Sequence, residues 1–296
     1  MSSFRLSLAL LTVVLAFGAA ACRFEVSGLD DSRTDAAVDP AAMPAVDLAG
    51  AGLDLAPRPD LGDPCAPAPA PIGSGVIASC AIGNPPTVDG RIEEWVTTPR
   101  YVLRSGATDA VEGGFSGRQG DRDRNLSGAF QVRWDEAAVY VAVTVVDDQR
   151  AIAGTNTSLW QGDSVEIYLS ATGAGQYGMN DMQLLLAPNA TGMYYRGDGV
   201  ARPLPMGVVV AARDVGNASG YELEVSIPWS LLGTTGRLGR LVRFDVQLND
   251  ADVAATRERF LTWRIRPTQT CAECVLTTCQ PYCSTATFDS LQLGGR

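Results

Sequence analysis

Phe130-Gln-Val-Arg-Trp134 and Val139-Tyr-Val-Ala-Val-Thr-Val145, separated by Asp135-Glu-Ala-Ala138, decide how this chain folds. In both runs an apolar residue returns at every second position. Period two with one apolar face is the mark of a half-buried antiparallel strand. The alternation continues outward. Val165, Ile167 and Leu169 alternate with Ser164, Glu166 and Tyr168, and Leu223, Val225 and Ile227 alternate with Glu222, Glu224 and Ser226. Val242, Phe244, Val246 and Leu248 alternate with Arg243, Asp245 and Gln247. Turn residues such as Val146-Asp-Asp148, Ala187-Pro-Asn189 and Gly216-Asn-Ala-Ser-Gly220 separate the runs. Many short strands without intervening helices predict an all-β fold, a β-sandwich. The one helical signal is Pro228-Trp-Ser-Leu-Leu232, where proline suits the first helical position. Asp121-Arg-Asp-Arg124 reads as an exposed loop. Trp95, Trp134, Trp229 and Trp263 sit in apolar patterns and are expected in the core.

Composition excludes several chemistries. The 296 residues carry a net charge of −10, with no His, and all 23 basic residues are Arg. Without His there is no Ser-His-Asp or Cys-His nucleophile, no His-ligated hydrolytic zinc and no His-held haem. Without Lys there is no Schiff base and no P-loop lysine. An acidic chain also lacks the dense positive charge on which nucleic-acid binding rests. Binding or structural roles remain.

The N-terminal region reads as export machinery followed by a tether. One Arg precedes the apolar run Leu6–Phe17, which is too short for a membrane span and suits the core of a signal peptide. It ends in Gly18-Ala-Ala-Ala-Cys22, which resembles a bacterial lipobox, although the pattern prefers Leu where Ala19 stands. The resemblance implies a signal peptide over 1–21, acylation of Cys22 and a lipid-anchored protein of the cell envelope, at the outer membrane or cell surface. Residues 22–79 read as a disordered linker. From 23 to 79, 34 of 57 residues are Ala, Pro, Asp or Gly, and no aromatic follows Phe24. Such a segment buries too little apolar surface to offset its ordering entropy. The composition changes near Ser79, so residues 80–296 are expected to form the globular domain. Setting Cys22 aside leaves Cys65, Cys80, Cys271, Cys274, Cys279 and Cys283, an even number suited to disulfides in an oxidising compartment. The cluster 271–283 suits two local disulfides better than a four-Cys zinc site in an exported protein, leaving Cys65 and Cys80 for each other. Spacing alone does not fix the connectivity.

Five motifs in order carry a family resemblance: Val88-Asp-Gly-Arg-Ile-Glu-Glu-Trp95, Phe130 to Asp148, Trp160-Gln-Gly-Asp-Ser-Val-Glu-Ile-Tyr-Leu169, Gly220-Tyr-Glu-Leu-Glu-Val-Ser-Ile-Pro-Trp229 and Val242 to Asp250. Together they resemble carbohydrate-binding module family 9, within the DOMON-like β-sandwiches, over about residues 85–293. The resemblance implies a jelly-roll-like sandwich of two antiparallel sheets, often with structural calcium, and a sugar slot between two tryptophans. It places Trp160 on the first clamp, Glu166 on the carboxylate that accepts sugar hydroxyls, and Gln247 and Arg257 on polar partners. Leu185 stands where the family has an arginine. The second tryptophan falls within the cysteine loop, whose only aromatic, Tyr282, is the candidate substitute.

The residues agree with that reading on chemical grounds. A sugar offers apolar C–H faces and a rim of hydroxyls, so its site wants an aromatic platform flanked by acceptors and donors. Trp160 follows the polar stretch Gly154–Ser158, and Glu166 and Tyr168 share the face opposite Val165, Ile167 and Leu169. Asp147, Asp148 and Asp163 are the candidate oxygens for calcium, which takes six to eight ligands. Glu93 and Glu94, or Glu222 and Glu224, are spaced like a glycosidase pair but are expected to face solvent, so no catalysis is assigned. The expected function is non-catalytic glycan capture by an envelope lipoprotein. The alternative is a structural or protein-interaction lipoprotein whose sandwich has lost the sugar site.

Overall fold

The computed structural model describes residue 65 and residues 75–106, 111–113, 119–154, 156–215, 220–263, 281–282 and 284–295. The described part is nearly all strand. In chain order the strands are β1 (Val76–Cys80), β2 (Tyr101–Arg104), β3 (Val111–Gly113), β4 (Leu126–Trp134), β5 (Ala138–Asp147), β6 (Ser164–Ser170) and β7 (Asp181–Leu186). They continue with β8 (Gly192–Tyr195), β9 (Arg202–Pro203), β10 (Val209–Asp214), β11 (Tyr221–Pro228), β12 (Leu241–Asp250), β13 (Arg259–Thr262) and β14 (Asp289–Leu293).

The opening stretch forms the hairpin β4–β5, in register from Leu126 opposite Asp147 to Trp134 opposite Val139. Its turn is fixed by Asp135, whose Oδ1 accepts the backbone N–H of Ala137 and Ala138, both at 2.8 Å. One sheet runs β10–β11–β5–β4 and the other β14–β12–β6–β7–β8–β9. The inward residues meet as one core around Phe130, whose ring lies 5.2 Å from Tyr101, 5.2 Å from Trp263 and 5.7 Å from Phe244. The all-β sandwich is therefore the observed architecture.

Three details depart from the sequence reading. Strand β1 pairs parallel with both β14 and β4, so it bridges the two sheets within an otherwise antiparallel sandwich. Gln119–Asn125 is a short helix, α1, where a loop was expected. Pro228 lies just before a 3-10 turn at Trp229–Leu232 rather than inside it, and Gly233 closes that turn at φ 65°.

The second face of the β5–β11 sheet is covered too. Trp95, Ala138, Tyr140 and Ala142 form a small apolar cluster outside the main core. The segment over it is anchored by Glu224, which is fully buried. Its Oε1 accepts the indole N–H of Trp95 at 2.7 Å, and its Oε2 accepts the backbone N–H of Gly90, Asp89 and Arg91 at 2.8, 3.0 and 3.1 Å. Glu224 thus faces Val88–Trp95 rather than solvent, and Glu222 is nearly buried beside it. Gly90 takes φ 84° with its Cα against the Ala212 backbone, where a Cβ would sit 3.0 Å from the Ala212 carbonyl carbon.

Cys65 and Cys80 form a disulfide across a sequence separation of 15, and Cys65 is buried in the main core. Closing a loop of that size stabilises a fold by about 3 kcal/mol in the chain-entropy account. Cys65→Ser with Cys80→Ser is therefore expected to lower stability by about 2–4 kcal/mol, read from the urea midpoint. An unchanged midpoint would show the crosslink to be neutral.

Candidate functional site

Every residue of β6 is buried, because both of its faces are covered. Val165, Ile167 and Leu169 enter the core, so Ser164, Glu166 and Tyr168 fill the opposite face. Lateral pairing sets their neighbours. Glu166 lies between Gln247 on β12 and Leu185 on β7, and Tyr168 lies between Asp245 and Gln183. Beyond them, Thr262 flanks Gln247, Met193 flanks Leu185 and Tyr195 flanks Gln183. Residues paired across a sheet point to the same side, so these side chains make one continuous face.

Glu166 is the hub. It is 2% exposed, and its carboxylate receives four donors. Oε1 accepts Asn249 Nδ2 at 2.7 Å and Gln247 Nε2 at 3.2 Å, while Oε2 accepts Tyr168 Oη at 2.5 Å and Gln183 Nε2 at 2.6 Å. A carboxylate has about four acceptor sites, so Glu166 is filled. Gln247 also donates to Asn249 Oδ1 at 2.8 Å, and Asn249 donates to Ser164 Oγ at 3.0 Å. A buried charge held by four donors rigidifies the sheet around it.

Trp160 stands at the edge of this network. It belongs to the 3-10 segment Asn156–Gln161. Leu159, 2% exposed, pins that segment to Leu185, Ala187 and Met193. Trp160 is turned the other way and is 38% exposed, unlike the other four tryptophans, all buried. Leu185, where the family resemblance expects arginine, is the floor of the cluster that holds the Trp160 segment. Arg257 stacks between two rings, with its guanidinium carbon 5.0 Å from the Trp160 centroid and 4.9 Å from that of Phe260. Its Nη1 donates to Asn249 Oδ1 at 3.2 Å.

Trp160, Glu166, Gln247 and Arg257 therefore meet in one place. Tyr282 is half-buried next to Pro281, whose carbonyl accepts Tyr177 Oη at 2.5 Å. The Tyr177 ring meets Phe288, which in turn meets Tyr168. That segment approaches the Tyr168 end of the face. Cys22 and the loop cysteines Cys271, Cys274, Cys279 and Cys283 lie outside the described residues. Sequence reasoning missed Asn249, Gln183, Tyr195 and Phe260. Asn249 could have been found by parity, since it shares the face of Gln247 two residues on. Tyr195 and Phe260 depend on pairing partners that no local pattern reveals. Tyr195 Oη has only Met193 Sδ, at 3.9 Å, as a partner among the described residues. Burial and the nearby Glu166 charge raise its pKa, so the hydroxyl stays protonated.

The calcium candidates divide. Asp148 is exposed, whereas Asp147 and Asp163 are each 2% exposed and are joined by Asp250, 1% exposed. Asp163 is held by the backbone N–H of Ala151 at 2.5 Å and of Ala251 at 3.0 Å. Asp250 Oδ2 accepts Asn125 Nδ2 at 2.9 Å. Asp147 Oδ2, Asp250 Oδ1 and Asp252 Oδ1 are buried without a hydrogen bond. Three orphan oxygens are far short of six to eight ligands. Among the described residues no group of three or more acidic or Cys side chains converges on a metal position. The residues present do not fit a calcium cage.

What the acidic group does show is a pH effect. Burial raises the pKa of Asp147, and the Asp163 charge raises it further. Burial raises Asp163 as well. Burial, then Asp147, pushes Asp250 from 3.8 up to about 7. Between these values the folded chain holds more protons than the unfolded chain, so stability falls as pH rises. In the presence of a chelator, the urea midpoint should fall from about pH 4 to about pH 7, each group costing up to about 1.4 kcal/mol per pH unit. A midpoint that rose over this range would show the carboxylates to be stabilised as anions.

Comparison with known proteins follows the same region of the chain. Residues 106–295 match the family described as "Carbohydrate family 9 binding domain-like". Endo-1,4-beta-xylanase A of Thermotoga maritima is 26% identical over 192 residues, which are 64% of this chain and 16% of the xylanase. Exoglucanase XynX of Acetivibrio thermocellus is 26% identical over 199 residues, 62% of this chain and 15% of that protein. The chain thus spans about a sixth of the length of these curated relatives. A family 9 carbohydrate-binding module from Caldicellulosiruptor kristjanssonii, solved in complex with cellotriose, superposes with a TM-score of 0.56 at 20% identity, covering 75% of this chain and 94% of the module. Its glucose complex gives a TM-score of 0.55 at 19% identity, covering 75% and 96%. These neighbours share the fold, and the match over residues 106–295 shows that the chain belongs to the carbohydrate family 9 binding domain-like family.

Proposed function

We propose that this protein is a non-catalytic glycan-capture domain, with Trp160 as the stacking platform. The carrying observation is that, of five tryptophans, only Trp160 is exposed, and it sits on the rim of the Glu166 network in a member of a carbohydrate-binding family. Relatives solved with cellotriose and glucose support an oligosaccharide ligand. An indole face suits the C–H face of a sugar ring, and Arg257 lies beside it with its guanidinium carbon 5.0 Å from the ring centroid. The xylanase relatives match only through this module-sized region, which supports binding rather than hydrolysis. Gly18-Ala-Ala-Ala-Cys22 and the Ala/Pro/Asp-rich stretch support acylation at Cys22 and display from the cell envelope on a linker.

The test is electrophoresis of the soluble Cys22→Ser protein through gels containing neutral and acidic polysaccharides. Retardation by at least one glycan, relieved by free oligosaccharide, is expected. The saturated Glu166 favours a second reading, in which the face is structural and the protein binds another protein. No retardation by any glycan would select that reading.

A further inference from the structure

We propose that the glycan held at Trp160 carries an isolated anionic group, a carboxylate or a sulfate ester, which docks on the Arg257 guanidinium. The proposal rests on the glycan reading and narrows it to a substrate class. Its basis is which polar groups the site leaves open. Glu166, the natural acceptor for sugar hydroxyls, is buried with four donors already in place. Gln247 Oε1 accepts Thr262 Oγ1 at 3.3 Å, and Asn249 Oδ1 accepts both Gln247 and Arg257. The acceptors near the platform are therefore engaged within the protein.

The donors are not. A guanidinium has five N–H groups in a fixed fork, and Arg257 directs a single hydrogen bond, to Asn249 Oδ1. Among the described residues no carboxylate lies within ion-pair distance of it. Its guanidinium carbon lies over both the Trp160 and Phe260 rings, neither of which offers a hydrogen-bond acceptor in the plane of the N–H groups, so the remaining N–H groups are left for a ligand. A guanidinium held against two rings without a carboxylate partner is pre-organised for bidentate contact with a carboxylate or sulfate. Tyr195 adds a protonated hydroxyl with only a weak sulfur contact on the same face. A site offering donors without free acceptors selects an acceptor-rich ligand.

Residues 80–296 hold 24 acidic residues and 19 Arg, a net charge of −5, which limits how much negative charge that ligand can carry. A densely charged polyanion meets repulsion from the whole domain. One acidic substituent on a neutral chain does not, so the fit is a sparsely substituted glycan.

Glucose, glucuronate and glucose 6-sulfate share a ring and differ at one carbon. Titration of the full chain with each is followed by intrinsic fluorescence, which reports on Trp160 because the other tryptophans are buried. At least one anionic sugar is expected to bind about tenfold tighter than glucose, or ~1.4 kcal/mol. Preference for glucuronate over the sulfate identifies a uronate, and the reverse identifies a sulfate ester. Arg257→Gln should remove the preference, and Arg257→Lys should restore part of it, with melting temperature confirming that both variants fold. Glucose binding as tightly as both anions, or a preference that survives Arg257→Gln, overturns the proposal and leaves glycan capture standing. No response to any of the three sugars overturns the proposal, and no retardation by any glycan in the gels overturns both.

Discussion

Replacing Glu224 by alanine is expected to lower stability by about 3–5 kcal/mol, a large share of what holds a domain folded. The substitution strands the Trp95 indole N–H and three backbone N–H groups that now converge on one carboxylate. A buried donor left without an acceptor costs about 1–3 kcal/mol. Those at Asp89 and Arg91 are near enough to the surface for water to replace part of the loss, which sets the total below the simple sum. Glu224→Gln keeps one oxygen and should lose less. Urea unfolding measures both. The Glu224→Ala protein should also show a wetter Trp95, because the segment Val88–Trp95 loses its clasp. A midpoint within experimental error of the parent would show that this segment is held by apolar contact alone.

The second large effect is on binding. Trp160→Ala should abolish retardation by whichever glycan the parent protein recognises, since the stacking face and the brace on Arg257 vanish together. The parent affinity is expected between micromolar and millimolar, about −8 to −4 kcal/mol, so losing the platform takes binding below detection. Stability should change little. The ring is 38% exposed, and its stacked cation is worth about 0.5–2 kcal/mol. A loss of several kcal/mol, as for a buried tryptophan, would make Trp160 a core residue and remove the main support for sugar capture.

The strands were legible because alternation needs only local sequence. Val139 to Val145, Val165 to Leu169 and Leu223 to Ile227 each announce one apolar face, and each delivers it to the core. The other face was harder to read. Alternation says that Glu166 and Glu224 point away from the core but not what covers them. Glu224 is covered by a segment about 130 positions earlier in the chain, with Trp95 at a separation of 129. Glu166 is covered by its own network, drawn from β6, β7 and β12. The exposed Trp160 was readable from its polar approach, Gly154–Ser158. The Arg257 stack was not, since Phe260 joins it only through the return of β13 beside β12. Asp250 joined Asp147 and Asp163 for the same reason: three strand ends meet, and no spacing foretells it.

The crosslink at Cys65 gives the sandwich a defined load path. A pull on the N-terminal side of the chain reaches Cys65 and passes through sulfur to Cys80, bypassing Val76–Ser79 of β1. Force therefore cannot peel β1 away from β14 starting at Val76, the end where a strand bridging two sheets would be easiest to unzip. It enters instead at the far end of β1, where Cys80 pairs with Trp134 and its N–H is held by the Gly295 carbonyl at 3.2 Å. A domain that grips a polymer while tethered on its N-terminal side would transmit drag into the seam of both sheets at once, and β1 would stay shielded from unravelling until the disulfide is reduced.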